Sequence, residues 1–277
     1  LSKTSTKKYI AMLNCAAKDQ RAHGLFQFYG ANRTGRWSSR MIQLQNLPQN
    51  HMKDLDLARS MVKRGDYDLF EMCYENIPNV LSELIRTAFI APEGKVFAVA
   101  DFSAIEARVL SWLAQEKWRL DVFNTHGKIY EASASLMFGV PIEQVTKGSD
   151  LRQRGKTAEL ALGYEGSVNA MEKMDKEKKL SKKEMYSIVA LWRRANPKIV
   201  EFWAEVNEKA IECVQTRKTK KVSCLVFEHD GTNLTIALPA GRKLYYRNPR
   251  VRPNRFGQIG IVYDGMVQSV GWTEVET

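Results

Sequence analysis

The chain has 277 residues, 42 Lys and Arg against 31 Asp and Glu, and a formal net charge of +11. A hydrophobic share of 44% with 10% aromatics is enough to bury a core, which excludes wholesale disorder and allows one large domain or two smaller ones. The basic balance suggests a polyanionic partner, no apolar run approaches the ~18 residues of a membrane span, and Cys15, Cys73, Cys213 and Cys224 form no CxxC pair, so neither a zinc site nor a disulfide framework is indicated.

Residues 3–20 predict a helix with Tyr9, Ile10, Leu13 and Ala16 or Ala17 on one side, and "LFQFYG" then alternates like a strand. The stretch 31–50 reads as a loop that carries three arginines. Helices are predicted at about 54–75 and 78–89, the second with Pro78 near its first turn. "KVFAVA" (95–100) is a short apolar run before Asp101 and predicts a buried strand. The pattern is helical from Ile105 to Phe138, with Ser149 a cap for the following segment, Ser181 and Glu184 a capping box, and helices continuing to Thr216. The charged run 172–184 reads as a solvated helix surface. "KVSCLVFE", "NLTIALP", "RKLYYR" and "QIGIVYDG" read as strands. The class is α+β. The thiols are expected to be reduced and cytosolic, with no signal peptide ahead of the fold. A start at Leu1 and a stop at Thr277 amid strand-like sequence suggest a piece of something longer.

Two stretches carry chemistry. In "VADFSAIEARVLSWLA" (99–114) a carboxylate, Asp101, follows an apolar run, with Glu106 and Arg108 just beyond on a helix. Such a carboxylate suits a hard cation, since Mg²⁺ takes one or two carboxylates with substrate phosphates; the alternative is an Asp capping the next helix beside ordinary surface charge. In "LRQRGKTAELALGYEG" (151–166), Arg152, Lys156, Leu160 and Tyr164 recur every four residues and would share one slowly drifting helix stripe. By itself that face also fits Arg and Lys stems snorkelling over apolar surface. Taken together, a cation site and a cationic helix face are the apparatus of phosphoryl transfer.

The pattern Asp-Phe-Ser-x-Ile-Glu-x-Arg at 101–108, followed by Arg-x₃-Lys-x₇-Tyr at 152–164, resembles the first two polymerase motifs of family A DNA polymerases. "TGRWSSRMIQLQNLP" (34–48) is similar to that family's earlier primer–template motif, and the wording of "DFSAIEARVL" and "AELALGY" is closest to polymerases of phages and prophages. The resemblance covers residues 8–270. It implies a right-hand polymerase fold, with 1–115 a palm and primer–template portion, 116–216 helical fingers, and 217–277 a β-rich connection that stops before the third motif. Asp101 and Lys156 would be catalytic, with Asp101 and the Phe102 carbonyl as ligands of two Mg²⁺ ions. Glu106 would be the gate against a ribose 2′-OH. Arg152 and Lys156 would hold the triphosphate, with Leu160, Tyr164 and Tyr130 near the nucleotide. Thr34, Arg36, Gln45 and Asn46 would contact primer–template DNA.

Departures from the pattern include Leu160 for a usual aromatic, Tyr130 for a frequent histidine, and "YEG" for Tyr-Gly. The third motif, His-Asp-Glu, is not found; His229-Asp230 is followed by Gly231 and reads as a turn, which leaves one metal-ligating aspartate missing and a fragment expected to be inactive alone. A 3′→5′ exonuclease domain is likewise not found. The implied partners are primer–template DNA and dNTP, with no membrane, in a bacterial or phage-infected cytoplasm; oligomeric state is not legible. The rival expectations are a single-subunit RNA polymerase or reverse transcriptase, and a non-catalytic basic DNA-binding module.

Overall fold

The computed structural model describes residues 3–31, 34–175, 180–253, 257–267 and 269–276. The chain divides into two compact units, Leu1–Ala100 and Asp101–Thr277.

In the first unit, helix α1 (Lys3–Cys15) precedes an antiparallel hairpin, β1 (Phe26–Ala31) with β2 (Arg36–Ser39). The second strand falls inside the stretch expected to be loop. Four residues are too few for a periodic face, and pairing with β1 decides the conformation instead. A short 3₁₀ turn, Leu44–Asn46, follows. Buried Leu25, Ile42, Leu47 and Ile85 pack with Tyr9 and Met12 of α1, and Tyr9 donates to the Leu81 carbonyl at 2.7 Å. Helices α2 (Leu55–Arg64), α3 (Tyr67–Cys73) and α4 (Ile77–Leu84) enclose a second core of Ala58, Met61, Phe70, Val80 and Leu84. The single helix expected over 54–75 is therefore broken. Gly65 takes φ 70°, the left-handed conformation that ends a helix, and Asp66 restarts the chain by accepting from the Leu69 amide. Pro78 stands in the first turn of α4, as expected.

Residues 95–100 form no strand. Val96 is 89% and Val99 92% exposed, and among the described residues nothing pairs with them. Apolar content suggested a strand, but an extended segment becomes one only where a neighbour takes up its N–H and C=O groups.

The second unit opens with α5 (Ile105–Ala114), α6 (Lys117–Asn124) and α7 (Ile129–Phe138), then α8 (Asp150–Leu162), α9 (Val168–Met174), α10 (Lys182–Ala195) and α11 (Pro197–Thr216). Ser149 caps α8 through the Arg152 amide, and Ser181 with Glu184 forms both halves of a capping box. The charged run 172–184, expected to be a solvated helix surface, is exposed at 172–174 on the end of α9 and at 181–183 around the start of α10; residues 176–179 lie outside the described ones. Fully buried Trp192 centres the helical core with Ala158, Ala161, Leu162, Met171 and Ile188.

Strands β3 (Lys220–Val222), β4 (Leu225–His229), β5 (Asn233–Ala237), β6 (Lys243–Pro253), β7 (Ile259–Val267) and β8 (Gly271–Glu276) make one antiparallel meander in sequence order. "KVSCLVFE" is a hairpin and not one strand, because Ser223 turns the chain at φ 52°. One sheet face packs Phe227, Leu234 and Ile261 on Ala210 and Cys213 of α11. All four cysteines are free.

Candidate functional site

Asp101 stands in irregular chain just ahead of the Ser103–Ala104 turn into α5, and among the described residues it has no hydrogen-bond or ion-pair partner. It does not cap that helix. The cap position is Ala104, held at φ 49° with no side-chain bond, an unfavourable conformation for a residue with a Cβ. Arg108 clasps the turn: its Nε donates to the Ser103 carbonyl at 2.9 Å, and its guanidinium lies 4.5 Å from the Phe123 ring centroid. The arginine that read as surface charge thus shapes the loop that carries Asp101. Phe102 is exposed, and Glu106 sits in the exposed first turn of α5.

The stripe on α8 is real for three of its four members. Arg152, Lys156 and Leu160 follow one another along the helix, and Leu160 is exposed. Tyr164 falls beyond the helix end at Leu162, in the turn that follows, where it is 66% exposed. The "YEG" departure coincides with this early stop: Glu165 takes φ 59°, and Gly166 folds tightly against the Ala161 carbonyl.

The two cations of the stripe differ. Lys156 has no partner among the described residues. Arg152 is engaged: its Nε donates to Glu131 Oε1 at 2.6 Å, and its guanidinium lies 5.7 Å from the Tyr130 ring centroid. Burial pushes the Glu131 carboxyl up, but the hydrogen bond and charge of Arg152 outweigh it and hold the group below the usual range. Burial and then the nearby Glu159 carboxylate push the Tyr130 hydroxyl up. Sequence reading placed Tyr130 correctly on α7 but missed Glu131, although its adjacency to Tyr130 was a usable signal.

Helices α7 and α8 approach closely at Gly155, where an added Cβ would lie against the Tyr130 carbonyl and 3.0 Å from the Ala134 Cβ. Glycine within a helix costs about 0.5–1 kcal/mol relative to alanine, so the close approach is what its presence secures. Gly155→Ala is expected to destabilise this unit by about 1–3 kcal/mol through overpacking. A thermal melt checks this; an unchanged or higher Tm would mean that α7 yields freely.

The two aspartates of the sheet that could serve as further ligands are engaged elsewhere. Asp230 spends its oxygens on the turn after β4, accepting from the Thr232 and Asn233 amides at 2.9 and 2.7 Å, and these bonds with the Asn233 side chain hold its carboxyl down to about 2. Asp264 accepts from Asn248 at 2.8 Å and from Arg250 at 2.9 Å. Among the described residues no group of three His, Cys, Asp or Glu side chains could enclose a metal ion. Asp101, a partner-free carboxylate, and the adjacent Phe102 carbonyl are oxygen donors of the kind that fit one side of a Mg²⁺ sphere completed by phosphates and water.

In the first unit, Thr34 and Arg36 flank the β1–β2 turn and are exposed; the Thr34 hydroxyl accepts from the Arg36 amide at 3.3 Å. Gln45 and Asn46 lie on the 3₁₀ turn, with Gln45 hydrogen-bonded by the Ser39 hydroxyl and Asn46 by its own Nδ2 to Gln43 at 3.4 Å. The loop is pinned from below. Lys8 donates to the Ile42 carbonyl at 2.7 Å, and Arg86 donates to the carbonyls of Leu47 and Pro48 at 2.8 and 2.7 Å. The hairpin and the 3₁₀ turn thus present their four polar side chains outward from one small platform.

Residues 1–225 match the family described as DNA polymerase family A. The chain belongs to DNA polymerase family A. It is 51% identical over its whole length to the DNA polymerase of Bacillus phage SP02, and spans 43% of that relative. The thermostable DNA polymerase I of Thermus aquaticus is 33% identical over 127 residues, 45% of this chain and 15% of the relative. The polymerase domain of Pol1 from M. smegmatis, solved in complex with DNA primer-template and dNTP, has the same fold: TM-score 0.57 at 22% identity, over 88% of this chain and 34% of that one. The mixed helical and antiparallel architecture is that of a polymerase domain, and membership of this family favours neither of the rival expectations.

Proposed function

We propose that this chain is the part of a template-directed DNA polymerase that receives the incoming nucleotide and grips primer–template DNA. The observation that carries the reading is the composition of the second unit. A partner-free carboxylate ahead of α5 and a partner-free Lys156 on α8 belong to one compact body of a family A chain.

The reaction joins a primer 3′ oxygen to the nucleotide α-phosphorus with loss of pyrophosphate. Mg²⁺ bound at Asp101 and the Phe102 carbonyl would supply charge neutralisation and a more acidic primer hydroxyl. Lys156 and Arg152 hold the triphosphate and offset the charge that grows on it, which is most of what phosphoryl transfer asks of a protein. For Arg152 this requires the guanidinium to leave or share Glu131. Glu106 fills the space beside the sugar, Leu160 and Tyr164 bound the base and ribose, and Tyr130 backs Arg152. In the first unit Thr34, Arg36, Gln45 and Asn46 hold the duplex near the primer end. Within the polymerase hand, 1–115 is the palm and primer–template portion, 116–216 the fingers and 217–277 their connection. The setting is a bacterial or phage-infected cytoplasm, and no described helix is long and apolar enough to cross a membrane.

The test is primer extension by the full-length protein on a primed template with dNTP and Mg²⁺. Extension that follows the template supports the reading, and binding of the duplex without extension overturns it. Sugar selection gives a second readout. Glu106→Ala should raise ribonucleotide incorporation relative to deoxyribonucleotide by about 10²-fold, the order expected when a packed discrimination worth 1–3 kcal/mol is removed. An unaltered ratio would take Glu106 out of the gate.

A further inference from the structure

Beneath the α8 stripe lies a buried polar cluster that the reading above leaves unused. Arg119 of α6 is 1% exposed and Glu159 of α8 is 6% exposed. The Arg119 guanidinium forks onto both Glu159 oxygens, with Oε1 at 2.9 Å, donates to Asn196 Oδ1 at 2.9 Å, and donates from Nε to Ser111 Oγ at 2.8 Å. The Trp192 indole donates to Glu159 Oε1 at 2.8 Å, and Asn196 donates back to the Trp192 carbonyl at 2.7 Å. The Ser111 hydroxyl in turn donates to the Ala107 carbonyl of α5 at 2.6 Å. Every polar atom of the pair is thus matched within a largely apolar core, and three helices and the residue after α10 meet at one guanidinium.

We propose that the Arg119–Glu159 pair is a positioning lock that fixes the rotation of α8, and with it Lys156 and Arg152, against α5, the helix that carries Glu106. The proposal rests on the polymerase reading and deepens it. A buried ion pair is seldom more stabilising than well-packed hydrophobic side chains of the same size, so holding the fold together is a weak reason for it. Direction is what it adds: a planar fork meeting a carboxylate through two bonds tolerates little twist, whereas apolar packing tolerates slippage. Glu159 follows Lys156 by three residues and precedes Leu160 by one, so whatever fixes Glu159 fixes the stripe. With side-chain tips about 5–6 Å from the helix axis, a turn of ~10° carries them ~1 Å. A misplacement of ~1 Å is enough to cost ~10²-fold in rate.

Three variants of the full-length polymerase test this: Glu159→Gln, Arg119→Lys, and the double replacement R119M/E159L, which substitutes apolar side chains of comparable bulk and removes the unpaired-charge problem. The measurements are Tm, primer–template affinity, and kcat and KM for a single dNTP with the dNTP/rNTP preference alongside. The double variant leaves the Trp192 indole and Asn196 Oδ1 without partners and should melt somewhat below the parent, but above Glu159→Gln. It should bind duplex equally, while kcat/KM for dNTP falls by about 10- to 10²-fold, mostly through KM, and sugar preference loosens. Arg119→Lys, which keeps the charge but loses the fork, should fall between the double variant and the parent. Glu159→Gln should show the same KM effect and a lower Tm. Variants that melt lower yet keep the parent's KM and sugar preference would overturn the lock and leave an ordinary core contact. A parent protein that extends no primer overturns the polymerase reading first and this one with it, so the two failures are distinguishable.

Discussion

Asp101→Ala in the full-length polymerase is expected to abolish nucleotide incorporation while leaving primer–template affinity unchanged. The carboxylate has no structural partner to lose and does not cap α5, so its removal should not disturb the fold. Its loss removes the charged ligand of the proposed Mg²⁺ site, and several kcal/mol of charge stabilisation correspond to at least ~10³-fold in rate. Single-turnover incorporation and a duplex-binding titration, run on the same preparation, separate the two effects. Near-parent incorporation would show that Asp101 is not the metal ligand, and a parallel collapse of duplex binding would show that its role is in holding DNA.

Arg152→Ala is expected to harm nucleotide use more than Lys156→Ala does, although both lie on the same stripe. A charge-assisted contact is worth about 1.5–3 kcal/mol, so losing Lys156 alone should cost about 10- to 10²-fold in kcat/KM. Removing Arg152 subtracts a similar contact and also strips Glu131 of the cation that holds its carboxyl ionised. A half-buried carboxylate then faces the place where the triphosphate should lie, and like charges repel. Arg152→Ala with Glu131→Gln should therefore regain part of what Arg152→Ala loses. Steady-state kinetics of the single and double variants decide the matter. Equal costs for the two single variants, with no recovery on Glu131→Gln, would assign Arg152 a passive surface role.

What could be read from the residues followed the range of the interactions concerned. Ser149, Ser181 and Glu184 are resolved within one helical turn, and their caps stand where the sequence puts them. Strands β5, β6 and β7 were legible because turn residues punctuate them, whereas the turn at Ser223 that splits β3 from β4 carries no glycine or proline to announce it. Expectations failed where distant partners decide. Val96 to Val99 has strand composition, yet nothing described pairs with it, and β2 forms because β1 is there to receive it. At the site, the motif spacing placed Glu106, Arg152 and Lys156 on the right helices, whereas the strand expected ahead of Asp101 does not form. Spacing could not show that Glu131 holds Arg152, since that pair spans 21 residues, or that Arg119 meets Glu159 across 40. A glutamate set between Ala158 and Leu160 was the one local hint of a buried partner.

The crowding of α8 bears on how such a chain can change. Gly155, Thr157, Ala158, Glu159, Ala161 and Leu162 are all buried: Gly155 meets α7, the alanines and Leu162 sit in the helical core, and Glu159 meets the indole and guanidinium beneath. Drift at any of them is answered by a loss of folding, so natural variation and laboratory evolution alike find few neutral routes through this segment. Leu160 is the exception: half-exposed on the same stripe as Arg152 and Lys156, it can be exchanged without repacking the core. A library aimed at altered sugar or base acceptance would therefore return its survivors from position 160 and the turn at 163–165, and almost none from the helix between.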